Sequence, residues 1–512
     1  MGQVFLEQLL QVLPDATVIG DAEKIEINAI ANNSKDVQPG ALFVCIRGLK
    51  ADGHQFADDA LKKGAVAIVC EELPELGGRP VAVLVPDSRL ALGRLAAAFY
   101  GYPSDKLRLI GVTGTNGKTT TTFFIEALLS RAGRPAGVIG TIGIKIGEKM
   151  LPPHLTTPEP LELQRLLGRM ADAGVKYVAM EVSSHAMALN RVEGCEFDTG
   201  IFTNLSRDHF DFHRGFDDYF RAKLKLFSSL GQGARKQGPK IAVLNADDPH
   251  SAEIIREVSG RLDQIITYGI TERADLQAEI LTVSRKGSSF VMQTPAGSMV
   301  INLRLPGTVN VYNALAATAV GLSEGVGLPV IKGALEGVKR VPGRFEQVDC
   351  GQDFSVIVDF AHNPGGLQNL LKTVREYTTG RRIVVFGCKG EDTDRIKRRA
   401  MGRIVANNSD FCIVTSDDPY KENPLEIARE VEEGVREASS FYEIVLERRE
   451  AINRAIEMAQ PGDAVIIAGR GHEPKQHVKS GSIPFDDREI AEESLRRLVR
   501  EKEIIRTPVA ET

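Results

Sequence analysis

The feature that most constrains this chain is an alternation. From residue 41 onward, short apolar runs such as "ALFV", "AVAIVC" and "IAVLN" are separated by longer amphipathic stretches. Runs this short and apolar throughout suit strands covered on both faces rather than amphipathic helices. Their regular alternation with helical patterns predicts βα units and largely parallel sheets, an α/β fold.

At 512 residues the chain exceeds what one core serves, and roughly 150 residues per domain gives about three domains. The first block, residues 1–106, holds strands in "ALFVCIRG", "GAVAIVCEE" and "VAVLVPDS" and a helix in "LALGRLAAAFYG", and ends at "GYPSDK". The second, 107–340, opens with "LRLIGVTG" and carries "YVAMEVSSH", "TGIFTNLSRDH" and "KIAVLNADDP". The third, 341–512, follows "GVKRVPGRFE" and repeats the plan in "VIVDFAHNP", "RIVVFGCKG", "FCIVTSDDP" and "AVIIAGRGHE". Each apolar run ends in polar residues, and open α/β sheets place ligands at such strand ends.

A net charge of −5 gives no basic excess for nucleic acid. The 6 cysteines are scattered singly with no CxxC pair, so neither a zinc knuckle nor a disulfide framework is expected and a reducing cytoplasm fits. No basic residue precedes Lys24 and no apolar run reaches membrane-span length, so neither a signal peptide nor a span is expected.

The stretch "GVTGTNGKTTTT" resembles a phosphate-binding loop with one departure. The usual pattern has a glycine where this chain has Val112. The strand leads into Gly114-Thr115-Asn116-Gly117-Lys118-Thr119-Thr120, and a helix follows. Backbone N–H groups at that helix start suit a phosphate, Lys118 is its countercharge, and the Thr119 hydroxyl suits Mg²⁺. Glu181, ending the strand in "KYVAMEVSSHA", is either a second metal ligand or a capping or surface glutamate. Asp208 and His209 end another strand where a second ion would fit, although a single histidine is more often structural.

In "FDDYFRAKLKLFSSL" the apolar stripe runs through Phe216, Phe220, Phe227 and Leu230, and Lys223 falls on it, while Arg221 and Lys225 point away. A cation on a buried face must snorkel, pair or be chemically neutralised. Arg344 of "PGRFE" and Asp359 of "VDFAHNP" are candidates to reach the nucleotide from another domain. Neither "FGCKGED" nor "AGRGHE" fits the dinucleotide fingerprint.

In order and spacing these stretches, with "NNSKDVQPGALFVCIRGLKADGHQF", "LTTPEP" and "SDDPYKENP", resemble the Mur ligase superfamily, and within it the UDP-N-acetylmuramyl-tripeptide synthetases of MurE type. The resemblance covers nearly the whole chain. It implies a uridine-nucleotide domain, a central ATP-binding domain and a Rossmann-like domain bringing the amino acid. The implied reaction is ATP-dependent ligation of meso-diaminopimelate or L-lysine to the D-glutamate of UDP-MurNAc-L-Ala-D-Glu through an acyl phosphate, in a monomer of the cytoplasm.

Residue by residue, the resemblance places Gly114 to Thr120, Asn245, Arg344 and Asp359 around ATP. It puts Thr119 and Glu181 on one Mg²⁺ and His209 on a second, and makes Lys223 a carbamylated lysine, N6-carboxylysine. It assigns the UDP-sugar dipeptide to Ser34, Thr156, Thr157, Ser183 and Arg191, and the amino acid to Asp417, Asp418, Gly469 and Glu473. The catalytic set is Lys118, Lys223, His209 and Arg344. The pattern fails at Asp417-Asp418-Pro419-Tyr420, where diaminopimelate-adding relatives carry Asp-Asn-Pro-Arg, and "GCKGEDTDRIKRR" displaces a second arginine, leaving Arg395 as a possible substitute. Losing a bidentate arginine and gaining Asp418 favours a basic side chain such as lysine. "DFAHNP" is closer to folylpolyglutamate synthases, whose pattern lacks the first block, or to cyanophycin synthetases, so the alternative is a paralogue adding another amino acid or a folylpolyglutamate-synthase-like ligase.

Overall fold

The computed structural model describes residues 3–48, 51–75, 80–233, 235–391, 394–438 and 441–506. It contains three α/β sheets in succession, as the alternating pattern predicts. Among the described residues no helix is long and apolar enough to cross a membrane.

In the first sheet, Val81–Leu84, Ala65–Cys70, Ala41–Val44 and Ala29–Ala31 run parallel, with Thr17–Ile19 antiparallel at one edge. The helix Ser88–Phe99 packs Leu92 and Leu95 against Val44, Val69 and Val83. Asp87 starts this helix by accepting from the N–H groups of Arg89 and Leu90, satisfying two of its orphan donors.

The second sheet has eleven strands. Its parallel centre runs, in spatial order, Gln264–Gly269, Ile241–Asn245, Thr199–Phe202, Arg108–Thr113, Tyr177–Glu181 and Ala136–Ile139. Both faces are covered. Ile110 and Val112 enter a core with Phe124 and Leu128 of the helix Lys118–Arg131, whereas Leu109 enters another with Leu163, Leu167 and Phe227. Side chains alternate across a strand, so burial on both faces explains why these runs are apolar throughout.

The third sheet orders Glu346–Gln347, Ser355–Asp359, Ala464–Ala468, Arg382–Phe386, Phe411–Val414 and Phe441–Ile444, all parallel except the first. Val384 and Phe386 face one core, Ile383 and Val385 the other.

One packing detail positions the site. Gly111 and Gly200 are register partners on adjacent parallel strands. A Cβ on Gly111 would lie 2.9 Å from the Phe197 ring and 3.1 Å from Leu226, and one on Gly200 would lie 2.9 Å from Leu230. The paired glycines let the helix Phe216–Ser229 lie directly on the sheet, which brings Lys223 beneath the end of Arg108–Thr113. Gly200→Val is expected to overpack this contact, lowering the urea-unfolding free energy by roughly 1–3 kcal/mol. An unfolding midpoint equal to that of the parent protein would show that the helix stands off the sheet.

Candidate active site

The loop after Arg108–Thr113 explains the departure at Val112. That residue is fully buried in the strand and is the register partner of Glu181, so the turn begins only at Gly114. Gly114 has φ +139°, and a Cβ there would lie 1.9 Å from Thr203 Oγ1. Gly117 has φ +91° and begins the helix Lys118–Arg131 with no side-chain cap. The uncapped first turn borders a cavity of about 320 Å³ lined by Thr115 to Thr120, Thr141, Glu181, His209, Asn310, Arg344 and Asp359 among others. Uncapped N–H groups at a helix start form a site for an anion such as phosphate. Half-buried Lys118 donates to Gly114 O (2.9 Å) and Thr115 O (2.7 Å), and desolvation lowers its pKa.

Glu181 is buried and satisfied by neutral donors. Its Oε1 accepts from Thr141 N (2.8 Å), and Oε2 accepts from the hydroxyls of Thr119 (3.0 Å) and Thr141 (3.1 Å). It is therefore a buried carboxylate at the loop rather than a surface glutamate. Two oxygen ligands, the Thr119 hydroxyl and the Glu181 carboxylate, are the donor set a hard cation such as Mg²⁺ takes. From the third sheet's side, Arg344 Nη2 donates to Thr119 Oγ1 at 3.1 Å, with its guanidinium 4.5 Å from the Phe360 ring centroid. Asp359 accepts from Phe345 N (2.6 Å) and Ala361 N (2.8 Å), fixing the backbone beside Arg344.

Lys223 is buried as its stripe predicts, and it does not snorkel. Its Nζ donates to Gly114 O at 2.8 Å and lies 4.3 Å from the Tyr219 ring centroid. Burial, reinforced by Lys118, holds its pKa well below the usual lysine value. Phe216 departs from the expected stripe: it is 38% exposed, because the first residue of its helix sits at the rim, against His250. His209 lies near the loop in the left-handed region (φ 57°), its Nε2 3.6 Å from Asp208 Oδ2 and its ring 4.8 Å from that of His185.

The remaining candidates divide. Thr156 and Ser183 line the same cavity. Thr157 sits behind it, donating to Glu181 O at 2.8 Å, and Arg191 Nε lies 2.8 Å from Glu159 Oε1. Ser34 lies in the turn between Ala29–Ala31 and Ala41–Val44 of the first sheet, its carbonyl accepting from Lys63 at 3.1 Å. Asn245 is outside the cavity lining. Its amide donates to Thr203 O (2.8 Å) and accepts from Asp247 N (3.1 Å), so both ends serve the backbone.

Asp417, Asp418, Gly469 and Glu473 gather beyond the ends of Phe411–Val414 and Ala464–Ala468, the two strands of the third sheet that flank Arg382–Phe386. The three carboxylates lie within 4.8 Å of one another. Cations balance them: Asp418 Oδ1 accepts from Arg470 (2.5 Å), and Lys389 Nζ lies 2.7 Å from Glu473 Oε1 and 3.3 Å from Asp418 Oδ2. Gly469, at φ +118°, has no room for a side chain, since a Cβ would lie 2.6 Å from Asp417 Oδ2. Arg395 does not join this cluster; it is 61% exposed and pairs with Glu422 at 2.9 Å. Tyr420 stacks on His477, centroids 5.2 Å apart.

Three family profiles match the chain: the Mur ligase family catalytic domain over residues 26–100, the Mur ligase middle domain over 112–321, and the Mur ligase glutamate ligase domain over 343–471. The UDP-N-acetylmuramoyl-L-alanyl-D-glutamate--2,6-diaminopimelate ligase of Syntrophomonas wolfei is 46% identical over 476 residues, 93% of this chain and 96% of that protein. This chain belongs to the Mur ligase family. The Geobacillus thermodenitrificans enzyme of the same name is 48% identical, covering 95% of this chain and 98% of its own length. A solved structure of a ligase so named aligns with TM-score 0.68 at 30% identity, over 97% of this chain and 100% of that one.

This Mur ligase also uses residues that sequence reasoning passed over. Thr141 clamps Glu181, and Asn313 accepts from Thr121 Oγ1 at 3.3 Å. The asparagines of "NVYN" gave a signal: Asn310 and Asn313 share one face of an otherwise apolar helix, Thr308–Ser323, and are buried. Thr141 gave none.

Burial pushes three histidines around the ligase site down, His185 to about 4, His362 to about 3 and His472 to about 4. The unfolded chain protonates them near pH 6.5, so between about pH 4 and 6.5 it binds more protons than the folded one and stability falls as pH falls. Urea unfolding is expected to show roughly 1 kcal/mol of stability lost per histidine between pH 7.5 and 5.5. A flat profile across that window would contradict their burial as neutral rings.

Proposed function

We propose that this chain uses ATP to join meso-diaminopimelate to the D-glutamate side-chain carboxylate of UDP-N-acetylmuramoyl-L-alanyl-D-glutamate, a step of peptidoglycan precursor synthesis in the cytoplasm. The observation that carries the phosphoryl-transfer part is the junction of Thr119, Glu181 and Arg344 at an uncapped helix start behind Gly114 and Gly117. The naming of full-length relatives supports the acceptor and the amine. A folylpolyglutamate synthase reading is disfavoured because the block at 26–100 matches a Mur ligase profile. We take residues 1–106, 107–340 and 341–512 as the uridine-nucleotide, ATP and amino-acid domains.

In this reading the acceptor carboxylate takes the terminal phosphoryl group of ATP, and the incoming amine displaces phosphate to leave an amide. Phosphorylation is needed because a carboxylate oxygen is a poor leaving group and phosphate a good one. Lys118 and Arg344 spread the charge of the transferring group, so preorganised electrostatics and positioning do the chemistry. Thr119 and Glu181 would hold one Mg²⁺, and His209 with N6-carboxylysine at Lys223 a second. Mg²⁺ supplies further charge neutralisation when bound. Carbamylation of Lys223 is supported by its burial beside Lys118 and its lowered pKa, since the neutral amine is the form that reacts with carbon dioxide. Thr156, Thr157, Ser183, Arg191 and Ser34 are assigned to the acceptor, and Asn245 to the nucleotide's surroundings.

For the amine, the third-sheet cluster offers both signs of charge. Asp417, Asp418 and Glu473 suit an ammonium, and Lys389 suits a carboxylate. The far end of diaminopimelate carries both groups, whereas lysine carries only the first. Lys389 thus supplies the cation that Tyr420 and Arg395 do not.

Incubation with the acceptor, ATP, Mg²⁺ and a panel of meso-diaminopimelate, lysine and ornithine tests the proposal. ADP and a diaminopimelate tripeptide are expected, and no product with any amine rejects the ligase assignment. Lys389→Met is expected to raise the diaminopimelate KM at least about tenfold, the scale of one charge-assisted pair; an unchanged KM removes Lys389 from the amino-acid site. Lys223→Ala is expected to lose activity and regain part of it with short-chain carboxylic acids, whereas full activity without them excludes a role for the modified lysine.

A further inference from the structure

Glu181 takes two of its three side-chain hydrogen bonds from a single residue, Thr141. The preceding Gly140 packs against the same carboxylate, since a Cβ there would lie 2.3 Å from Glu181 Oε1. A displacement of Thr141 therefore moves Glu181 with it. The carbonyl of Thr141 faces the third unit, where His472 Nε2 lies 3.3 Å away.

His472 is firmly placed. Gly471 before it has φ +57°, and a Cβ there would lie 2.8 Å from Gly343 O and 2.9 Å from Phe360 N. A Cβ on Gly343 would lie 2.2 Å from His472 N. The His472 ring is 5.2 Å from Phe360, the ring on which Arg344 also packs. Arg344 and His472 thus belong to one rigid patch of the third unit. Arg344 reaches Thr119, and His472 reaches Thr141, which are the two residues that hold Glu181 Oε2.

We propose that His472 is a positioning residue that latches the third unit to the central one through the Thr141 carbonyl, fixing the orientation of Glu181 when the units close. This rests on the reading of Glu181 as a ligand of the nucleotide's Mg²⁺. Burial keeps the ring neutral, so its one proton sits on Nε2 to face a carbonyl, and among the described residues Nδ1 has no hydrogen-bond partner. The third unit then reaches the Glu181 carboxylate by two routes, Arg344 through the Thr119 hydroxyl and His472 through the Thr141 carbonyl.

His472→Leu and His472→Gln in the full-length protein test this. Glutamine carries an amide N–H close to the reach of Nε2, and leucine carries none. His472→Leu is expected to lower kcat at least about tenfold, the scale of a small misplacement at a reacting centre, and to raise the Mg²⁺ concentration for half-maximal rate. The amino-acid KM and the unfolding midpoint are expected to stay near the parent values, and His472→Gln to recover kcat to within about threefold. A leucine variant with the parent kcat and Mg²⁺ dependence overturns the latch. So does a glutamine variant as impaired as the leucine one, which would assign the effect to packing on Phe360. Calorimetric titration of ADP with Mg²⁺ separates this from the ligase proposal. If the parent protein makes no tripeptide but His472→Leu weakens Mg²⁺-dependent ADP binding, the ligase reading falls and the latch stands.

Discussion

The site depends on keeping a carboxylate buried with no cation beside it in a direct ion pair. Glu181 sits at the end of a central strand, in register with Val112, and is satisfied by two threonine hydroxyls and one backbone N–H. Neutral donors make its direct hydrogen bonds, while Lys118 and Arg344 act on its charge from further away, so its oxygens are not taken up by a direct ion pair among the described residues. The remaining features follow from holding that carboxylate in place. Gly140 is small because Glu181 lies against it, the strand continues through Val112 so that its partner lies level with the loop, and Thr119 enters the helix facing inward.

The same economy of space explains Lys223. Paired glycines at 111 and 200 draw its helix onto the sheet until the ammonium meets a loop carbonyl rather than water. Desolvation is the largest influence on this lysine, and nearby Lys118 acts in the same direction. A group so placed has traded charge for reactivity. The fold therefore places an amine whose proton is weakly held against the loop at Gly114.

Much of this was legible because the relevant signals are local. The phosphate loop, the helix it starts, the stripe carrying Lys223 and the strand ends at Glu181, Asp208 and Asp417 are each written within a dozen or so neighbouring residues, where periodicity and glycine placement speak directly. Phe216 misled because a helical stripe gives the angular position of a residue but not whether its end of the helix is covered. Thr141 and His472 were invisible for a different reason. Thr141 acts on Glu181 across 40 residues and on His472 across 331, and His472 meets Thr141 only where two units of the chain come together. The same holds for Lys389, whose meaning comes from carboxylates on two other strands.

That division has a chemical rationale. An activated acyl group is vulnerable to water, so a ligase of this kind gains from completing its site only when the amine-bearing unit has closed. The central unit by itself already presents the loop, Glu181 and Lys223. Besides rim contacts such as Arg207 with Asp394, the third unit adds Arg344 on Thr119, Asn363 on Asp208 at 2.9 Å and His472 on Thr141, three contacts that end around the loop. Contacts at the rim would report that the units have met. Contacts at the centre make the arrangement of Thr119, Thr141 and the Glu181 they hold depend on how the third unit sits.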